Sequence, residues 1–156
     1  MPNDLIAARD EFVLAHPETR IIITSRDWGC IRVGDTGPAL VLIPGTLGRA
    51  DIFWQQIMAL KGQARILALS YPSSGGIVDW AADIAKMIQI LGMKGAVVLG
   101  SSLGGFLAQY LAASEYAVVD KKLADYLTEN ALPELLNEVF PYHAQVAREH
   151  GLDLIM

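Results

Sequence analysis

Short apolar runs alternate with helix-like stripes along the first two thirds of the chain. Residues 39–43 form a continuous apolar run, which is typical of a strand buried on both faces of a parallel sheet. Residues 64–69 and 96–99 are also strand-like, whereas residues 51–60 and 77–91 place apolar side chains at helical spacing. This alternation predicts an α/β fold, a mostly parallel sheet with helices on both faces.

Two elements precede the alternation. Residues 4–15 have a helical pattern and belong to a leading arm that covers residues 1–20. Residues 21–24 and 30–33 are short β-prone runs, and we expect residues 26–29 between them to form the turn of a hairpin. The predicted sheet therefore begins with a pair of strands that leads into the β/α units.

The end of the chain differs in charge from the rest. Residues 1–114 carry 9 acidic and 9 basic side chains, whereas residues 115–156 carry 8 acidic and 3 basic ones. Apolar positions in residues 114–156 repeat at helical spacing, which predicts acidic helices and no further strand. The length of 156 residues suits one domain over residues 1–156, with a β/α core in residues 21–113.

Composition narrows the class of protein. Hydrophobic residues make up 53% of the chain and charged residues 19%, as in globular proteins, and the net charge of -5 argues against nucleic-acid binding. The first residues lack a basic region and no apolar run is long enough to span a membrane, so we expect neither a signal peptide nor a membrane span, and a cytoplasmic location. Cys30 lies in an apolar run and is predicted to be a buried small hydrophobe.

One motif carries candidate chemistry. Gly100 to Gly104 reads G-x-S-x-G around Ser102, between the strand-like residues 96–99 and the helix-like residues 103–113. Such a nucleophile elbow holds its serine on a sharp turn, where glycines let two backbones pass closely. We therefore predict that Ser102 is a nucleophile and that Gly100 and Gly104 are the elbow glycines. The alternative is a tight turn in which serine merely fits.

A second loop is predicted to lie beside this turn. Carboxyl ends of parallel strands gather at one edge of a sheet, so Gly45 and Thr46, which follow residues 39–43, should come close to Ser102. The backbone N–H groups of Thr46 and Leu103 are then candidate donors to a developing oxyanion. Without the serine, the same loop would be an ordinary connection between strand and helix.

The serine also needs a base. An unassisted serine hydroxyl is a poor nucleophile at neutral pH, and His16 lies in the leading arm, which leaves His143 and His150 as candidates. If their segment is helical, both lie on one face, and the alternative is a pair of solvated helix residues. As a metal pair they would lack a third ligand, so we predict no metal and no cofactor. Three acids of the same region are interpreted as solvated charges: Asp120, Asp125 and Glu149.

Longer strings around these motifs resemble a known family. Residues 50–60, 66–72 and 100–109 are similar to the α/β-hydrolase superfamily, and most closely to its maspardin-like members, within a resemblance that covers residues 21–113. It implies the N-terminal half of an α/β-hydrolase fold, followed here by acidic helices. It also implies Ser102 at the nucleophile position, with Thr46 and Leu103 as oxyanion donors. The later strands and the acid and histidine loops of the family have no match in this sequence.

The strand before the elbow is expected to have an open edge. In the strand order usual for this fold, residues 96–99 pair with residues 39–43 on one side and with a sixth strand on the other, and this sequence contains no sixth strand. Unpaired N–H and C=O groups at an edge invite pairing with another chain. We expect the acidic helices to cover this edge, or two chains to associate there as a homodimer.

Three functions fit these expectations. The first is a serine esterase that acts on small acyl esters, with Ser102 as nucleophile and His143 or His150 as base. The second is a non-catalytic, hydrolase-like module that binds a protein partner. The third is a shortened hydrolase without its base and acid, because only 54 residues follow Ser102.

Overall fold

A computed structural model describes residues 3–113 of the chain. Five strands form one sheet: β1 (Thr19–Ile23), β2 (Arg26–Val33), β3 (Ala39–Ile43), β4 (Arg65–Ser70) and β5 (Val97–Gly100). The helices are α1 (Asp4–Ala15), α2 (Trp54–Leu60), α3 (Ile77–Ile90) and α4 (Leu103–Ala113), and a 3-10 turn (Ala50–Phe53) precedes α2. No helix among these residues is long and apolar enough to cross a membrane.

The sheet is mixed. Its strand order is β1-β2-β4-β3-β5, with antiparallel pairing of β1 to β2 and of β2 to β4. The last three strands of the sheet are parallel: β4 and β5 flank β3, in a register that sets Leu42 opposite Ala68 and Leu99. The predicted α/β fold class is confirmed, and the initial strand pair accounts for the antiparallel part.

Helices cover both faces of the sheet, as the sequence predicts. One core lies under α3 and α4 and includes Val41, Leu67 and Leu107, each fully buried. The other lies under α1, the 3-10 turn and α2 and includes Phe12, Leu42 and Ile57. Successive residues of β3 point to opposite cores, which is why this strand is apolar at every position.

The hairpin turn is not where the sequence predicts it. Thr24 and Ser25 form the turn, with φ angles of 49° and 67°, because a two-residue hairpin loop of this twist needs positive φ at both positions. The prediction of a turn at residues 26–29 is therefore wrong, since these residues begin β2.

Long-range contacts explain why polar residues belong to that strand. Asp83 of α3 is buried and accepts hydrogen bonds from Arg26 Nε at 2.6 Å and from Trp28 Nε1 at 2.9 Å. Burial opposes ionisation of Asp83, but the bonds from Arg26 and Trp28 outweigh it and hold its pKa below the ordinary value. A local pattern cannot reveal a polar strand residue whose partner is 57 residues away.

Two further predictions concern single segments. Cys30 is 3% exposed, so its predicted burial is confirmed. The acidic helices predicted for residues 114–156 lie outside the described residues and stay predictions.

Candidate active site

The turn between β5 and α4, residues 100–104, has the geometry that the motif predicts. Ser102 is exposed and has a φ of 54°, in the left-handed region that a non-glycine residue seldom adopts. The first turn of α4 starts immediately behind it, since the N–H of Gly105 and that of Phe106 donate to the Ser102 carbonyl at 2.9 and 3.2 Å. The side chain therefore stands at the strand-to-helix corner, which we call the elbow.

Glycines allow the two arms of the elbow to touch. A Cβ at Gly100 would overlap the backbone of Gly104, and a Cβ at Gly104 would lie 2.7 Å from the carbonyl oxygen of Pro44. Gly105 differs, because a Cβ there would meet its nearest atom at an ordinary 3.4 Å. Two of the three glycines are thus needed for close backbone approach.

The loop after β3, residues 44–50 (the β3 loop), lies against the elbow. The Ser101 N–H donates to the carbonyl of Ile43 at 3.0 Å, and a Cβ built at Gly45 would lie 3.4 Å from the Ser102 Cβ. Thr46 follows Gly45 directly. The structure therefore brings the β3 loop and the serine together, as expected from the parallel order of β3 and β5.

The β3 loop makes a tight turn at its tip. The Gly48 N–H donates to the Gly45 carbonyl at 2.9 Å. Leu47, within this turn, adopts a φ of 61° and is 95% exposed. Within residues 3–113, the backbone N–H groups of Thr46 and Leu103 donate no hydrogen bond. Among the residues that the structure describes, both predicted oxyanion donors are therefore without an acceptor.

The start of the β3 loop is held by a tyrosine that the sequence pattern does not single out. Tyr71 follows β4 and donates its hydroxyl proton to the Pro44 carbonyl at 2.7 Å. Its ring packs between Trp28 and Trp80, with centroid distances of 6.0 and 4.9 Å. Burial raises the pKa of Tyr71 to about 12, so the hydroxyl stays protonated and remains a donor at neutral pH.

The end of the β3 loop is held by a serine and a glutamate. The Ser70 hydroxyl accepts the Ala50 N–H at 2.8 Å and donates to Glu18 Oε1. The other carboxylate oxygen of Glu18 pairs with Arg49 of the loop and with Arg20. The signal in the sequence is slight, a polar residue at the carboxyl end of an apolar strand.

The histidines are not brought to the elbow within the described residues. His16 directly follows α1, is partly buried, and packs on Phe12 with ring centroids 4.9 Å apart. His143 and His150 lie outside the described residues and stay predicted bases.

Known proteins are similar to this chain in structure or in sequence. A carboxylesterase from Bacillus subtilis is similar in structure, with a TM-score of 0.60 at 21% identity over 80% of this chain and 55% of that one. Maspardin from Rattus norvegicus is 32% identical over 124 residues, which cover 76% of this chain and 47% of that protein. Maspardin from Homo sapiens is 34% identical over 102 residues, 62% of this chain and 33% of that protein.

The chain spans about one third to one half of the length of these maspardins. The family model of the alpha/beta hydrolase family matches residues 40–153, a stretch that starts in β3 and runs through the elbow. The matched stretch contains the parallel strands whose carboxyl ends carry the β3 loop and the serine turn, and the chain belongs to the alpha/beta hydrolase family.

Proposed function

We propose that the protein is a serine hydrolase of the carboxylesterase type that cleaves small acyl esters. The observation that carries this proposal is the positive φ of Ser102 on an exposed turn at the carboxyl end of β5. Strain of this kind persists only where the surrounding structure enforces it, and it clusters at active sites. The similarity to a carboxylesterase supports the same reaction class.

The proposed reaction proceeds through an acyl-enzyme. Ser102 Oγ attacks the acyl carbonyl carbon while its proton passes to His143 or His150. The backbone N–H groups of Thr46 and Leu103 donate to the resulting oxyanion, each worth about 3 kcal/mol of transition-state stabilisation. The bond to the alcohol then breaks, the histidine protonates the leaving oxygen, and water cleaves the acyl-serine by the same steps.

An open groove beside the β3 loop is the proposed binding place for the acyl group of the substrate. The groove has a volume of about 810 Å³ and lies between α1 and the β3 loop, where it shares Leu47 and Gly48 with the loop that carries Thr46. Half of its remaining lining is apolar and half is charged: Val13, Leu14, Ile52 and Trp54 against Arg9, Asp10, Arg49 and Asp51.

Intact-mass analysis after treatment with a fluorophosphonate tests the nucleophile. We expect one adduct on the wild-type chain and none on Ser102→Ala, because a fluorophosphonate reacts with an activated serine. Ser101→Ala is the matched control and should keep the adduct. A folded wild-type chain without an adduct would refute the esterase and favour the non-catalytic, partner-binding alternative.

Hydrolysis of p-nitrophenyl acetate identifies the base. His143→Ala or His150→Ala should lower kcat by at least a hundredfold, since general-base assistance contributes about 10²–10⁴ in rate. His16→Ala should leave kcat unchanged, because this ring packs on Phe12 at the end of α1. Unchanged turnover in both C-terminal variants would exclude these two histidines.

We also propose that two copies of the chain associate as a homodimer through the edge of β5. Within residues 3–113, β5 pairs only with β3, and Leu99 is 48% exposed. Light scattering should show a dimer that Leu99→Lys dissociates, whereas Ile22→Lys at the opposite edge of the sheet should leave it intact. A wild-type monomer would contradict the dimer.

We further propose that the protein is located in the cytoplasm. Recovery of the protein outside the cytoplasmic fraction would contradict this location.

A further inference from the structure

We infer that Ser70 and Glu18 form a clamp that positions the β3 loop for oxyanion stabilisation. They are positioning residues, because they act on the reaction through the backbone that carries the Thr46 N–H. The inference deepens the proposed function and rests on it for its catalytic part. Its structural part, the order of the β3 loop, stands on the contacts themselves.

The Ser70 hydroxyl uses both of its hydrogen-bonding roles. It accepts the Ala50 N–H at 2.8 Å and donates its proton to Glu18 Oε1, while the residue is only 2% exposed. A buried backbone N–H without a partner is costly, so this hydroxyl fixes where the β3 loop turns into the 3-10 helix. The Glu18 carboxylate in turn fixes the direction of the hydroxyl.

The structure makes room for the carboxylate at one position of β2. Gly29 lies opposite Ser70 in the antiparallel pairing of β2 and β4. A Cβ at Gly29 would lie 2.7 Å from Glu18 Oε1, so any other residue would displace the carboxylate from Ser70. The glycine in this strand therefore has a specific use, which is the close approach of Glu18.

The second oxygen of Glu18 reaches the β3 loop directly. It pairs with Arg49, whose side chain is 60% exposed, and with Arg20, whose side chain is 47% exposed. Exposed ion pairs contribute little free energy. The bond to Ser70, with its buried hydroxyl, is therefore the contact that positions the loop, and the arginines keep the carboxylate in place.

The clamp complements the tyrosine at the other end of the loop. Tyr71 holds the Pro44 carbonyl and Ser70 holds the Ala50 N–H, and both residues come from the carboxyl end of β4. Thr46 lies between the two attachment points. Release of one end frees the Thr46 N–H to move, and an oxyanion donor is effective only when it is positioned in advance.

Amide hydrogen exchange of the full chain tests the clamp without any need for catalysis. In Ser70→Ala, exchange of the hydrogen-bonded amides within residues 44–50, those of Gly48 and Ala50, should rise at least tenfold, while the amides of β3 and β5 keep their wild-type rates. Ser73→Ala, an exposed serine three residues away, is the matched control and should change nothing. Wild-type exchange across residues 44–50 in Ser70→Ala, or an increase spread over the whole sheet, would overturn the inference.

A comparison of two Glu18 variants separates the hydrogen bond from the charge. Glu18→Gln keeps an oxygen that accepts from Ser70 and should retain slow exchange within residues 44–50. Glu18→Ala should behave as Ser70→Ala does. Loss of protection in Glu18→Gln equal to that in Glu18→Ala would contradict the assigned role of the Ser70 bond.

The catalytic part of the inference is tested by the fluorophosphonate reaction of Ser102. Ser70→Ala should lower the first-order rate of adduct formation about tenfold or more and leave the half-saturating concentration unchanged, because donors to the oxyanion act in the transition state. An unchanged rate would overturn this part. A wild-type chain that forms no adduct would refute the esterase, and hydrogen exchange would still decide whether the clamp orders the loop.

Discussion

The elbow and the β3 loop hold the same kind of strained residue by different means. Ser102 and Leu47 have φ angles of 54° and 61°. The elbow is held by backbone packed on backbone, which needs Gly100 and Gly104 and no long side chain. The β3 loop is held by side chains that are 20 to 31 residues away in sequence. A strained turn can therefore be stabilised by glycines within the turn itself, or by polar side chains that lie far away in the sequence.

The largest effect should come from filling the elbow. Gly104→Ala puts a methyl group against the carbonyls of Ile43 and Pro44, and we expect it to lower the free energy of unfolding by about 3 kcal/mol or more. Gly105→Ala is the matched control and should be neutral or stabilising by up to about 1 kcal/mol, because it adds a helix-forming residue whose Cβ makes only ordinary van der Waals contact. Chemical denaturation measures both, and equal losses would mean that the elbow does not depend on close backbone contact.

A smaller effect should come from release of the β3 loop at its start. Tyr71→Phe removes the bond to the Pro44 carbonyl and should cost about 1 kcal/mol, measured by urea denaturation at pH 7. The wild type should also lose stability between about pH 10 and pH 12. The pKa of Tyr71 is raised to about 12 in the folded state, so above pH 10 the unfolded state ionises first.

The phenylalanine variant provides the control for that pH dependence. Tyr71→Phe should lack the part of the alkaline loss that this tyrosine causes. An alkaline loss of the same size in wild type and variant would assign it to other groups.

The smallest effect should come from relief of backbone strain, and we expect it to be similar in the β3 loop and in the elbow. Leu47→Gly should stabilise the chain by about 0.5–1 kcal/mol, because glycine adopts positive φ at little cost while the lost side chain is exposed. Ser102→Gly should stabilise to a similar extent and abolish the fluorophosphonate adduct. Thermal denaturation measures both, and a loss of stability in either variant would contradict the assignment of strain there.

Much of the fold was predictable from local patterns. The strands β3 and β5 are visible as continuous apolar runs, which burial on both faces of a sheet requires. The helix α3 is visible as a stripe of apolar residues at helical spacing, which burial of one helix face requires. The hairpin turn was predicted in the wrong place, since the polar Arg26 belongs to β2 through its pairing with Asp83. Polar residues in the sequence indicate the position of a turn only when they are not strand residues that form hydrogen bonds with a partner far along the chain.

The candidate site divides in the same way. Ser102 and its glycines are predictable because the elbow occupies five consecutive residues, and the approach of Thr46 follows from parallel strand order. Glu18, Ser70 and Tyr71 are not predictable, since none belongs to a motif and each acts through a contact with a residue far along the chain.

By itself, the sequence determined the α/β fold class, the elbow and the position of Ser102 within it, because these depend on periodicity and on where side chains are missing. Only the tertiary structure decided how the β3 loop is held, where the hairpin turns and why Gly29 has no side chain. Those features depend on hydrogen bonds and close contacts between residues distant in sequence, which form when the sheet places β2, β3 and β4 side by side.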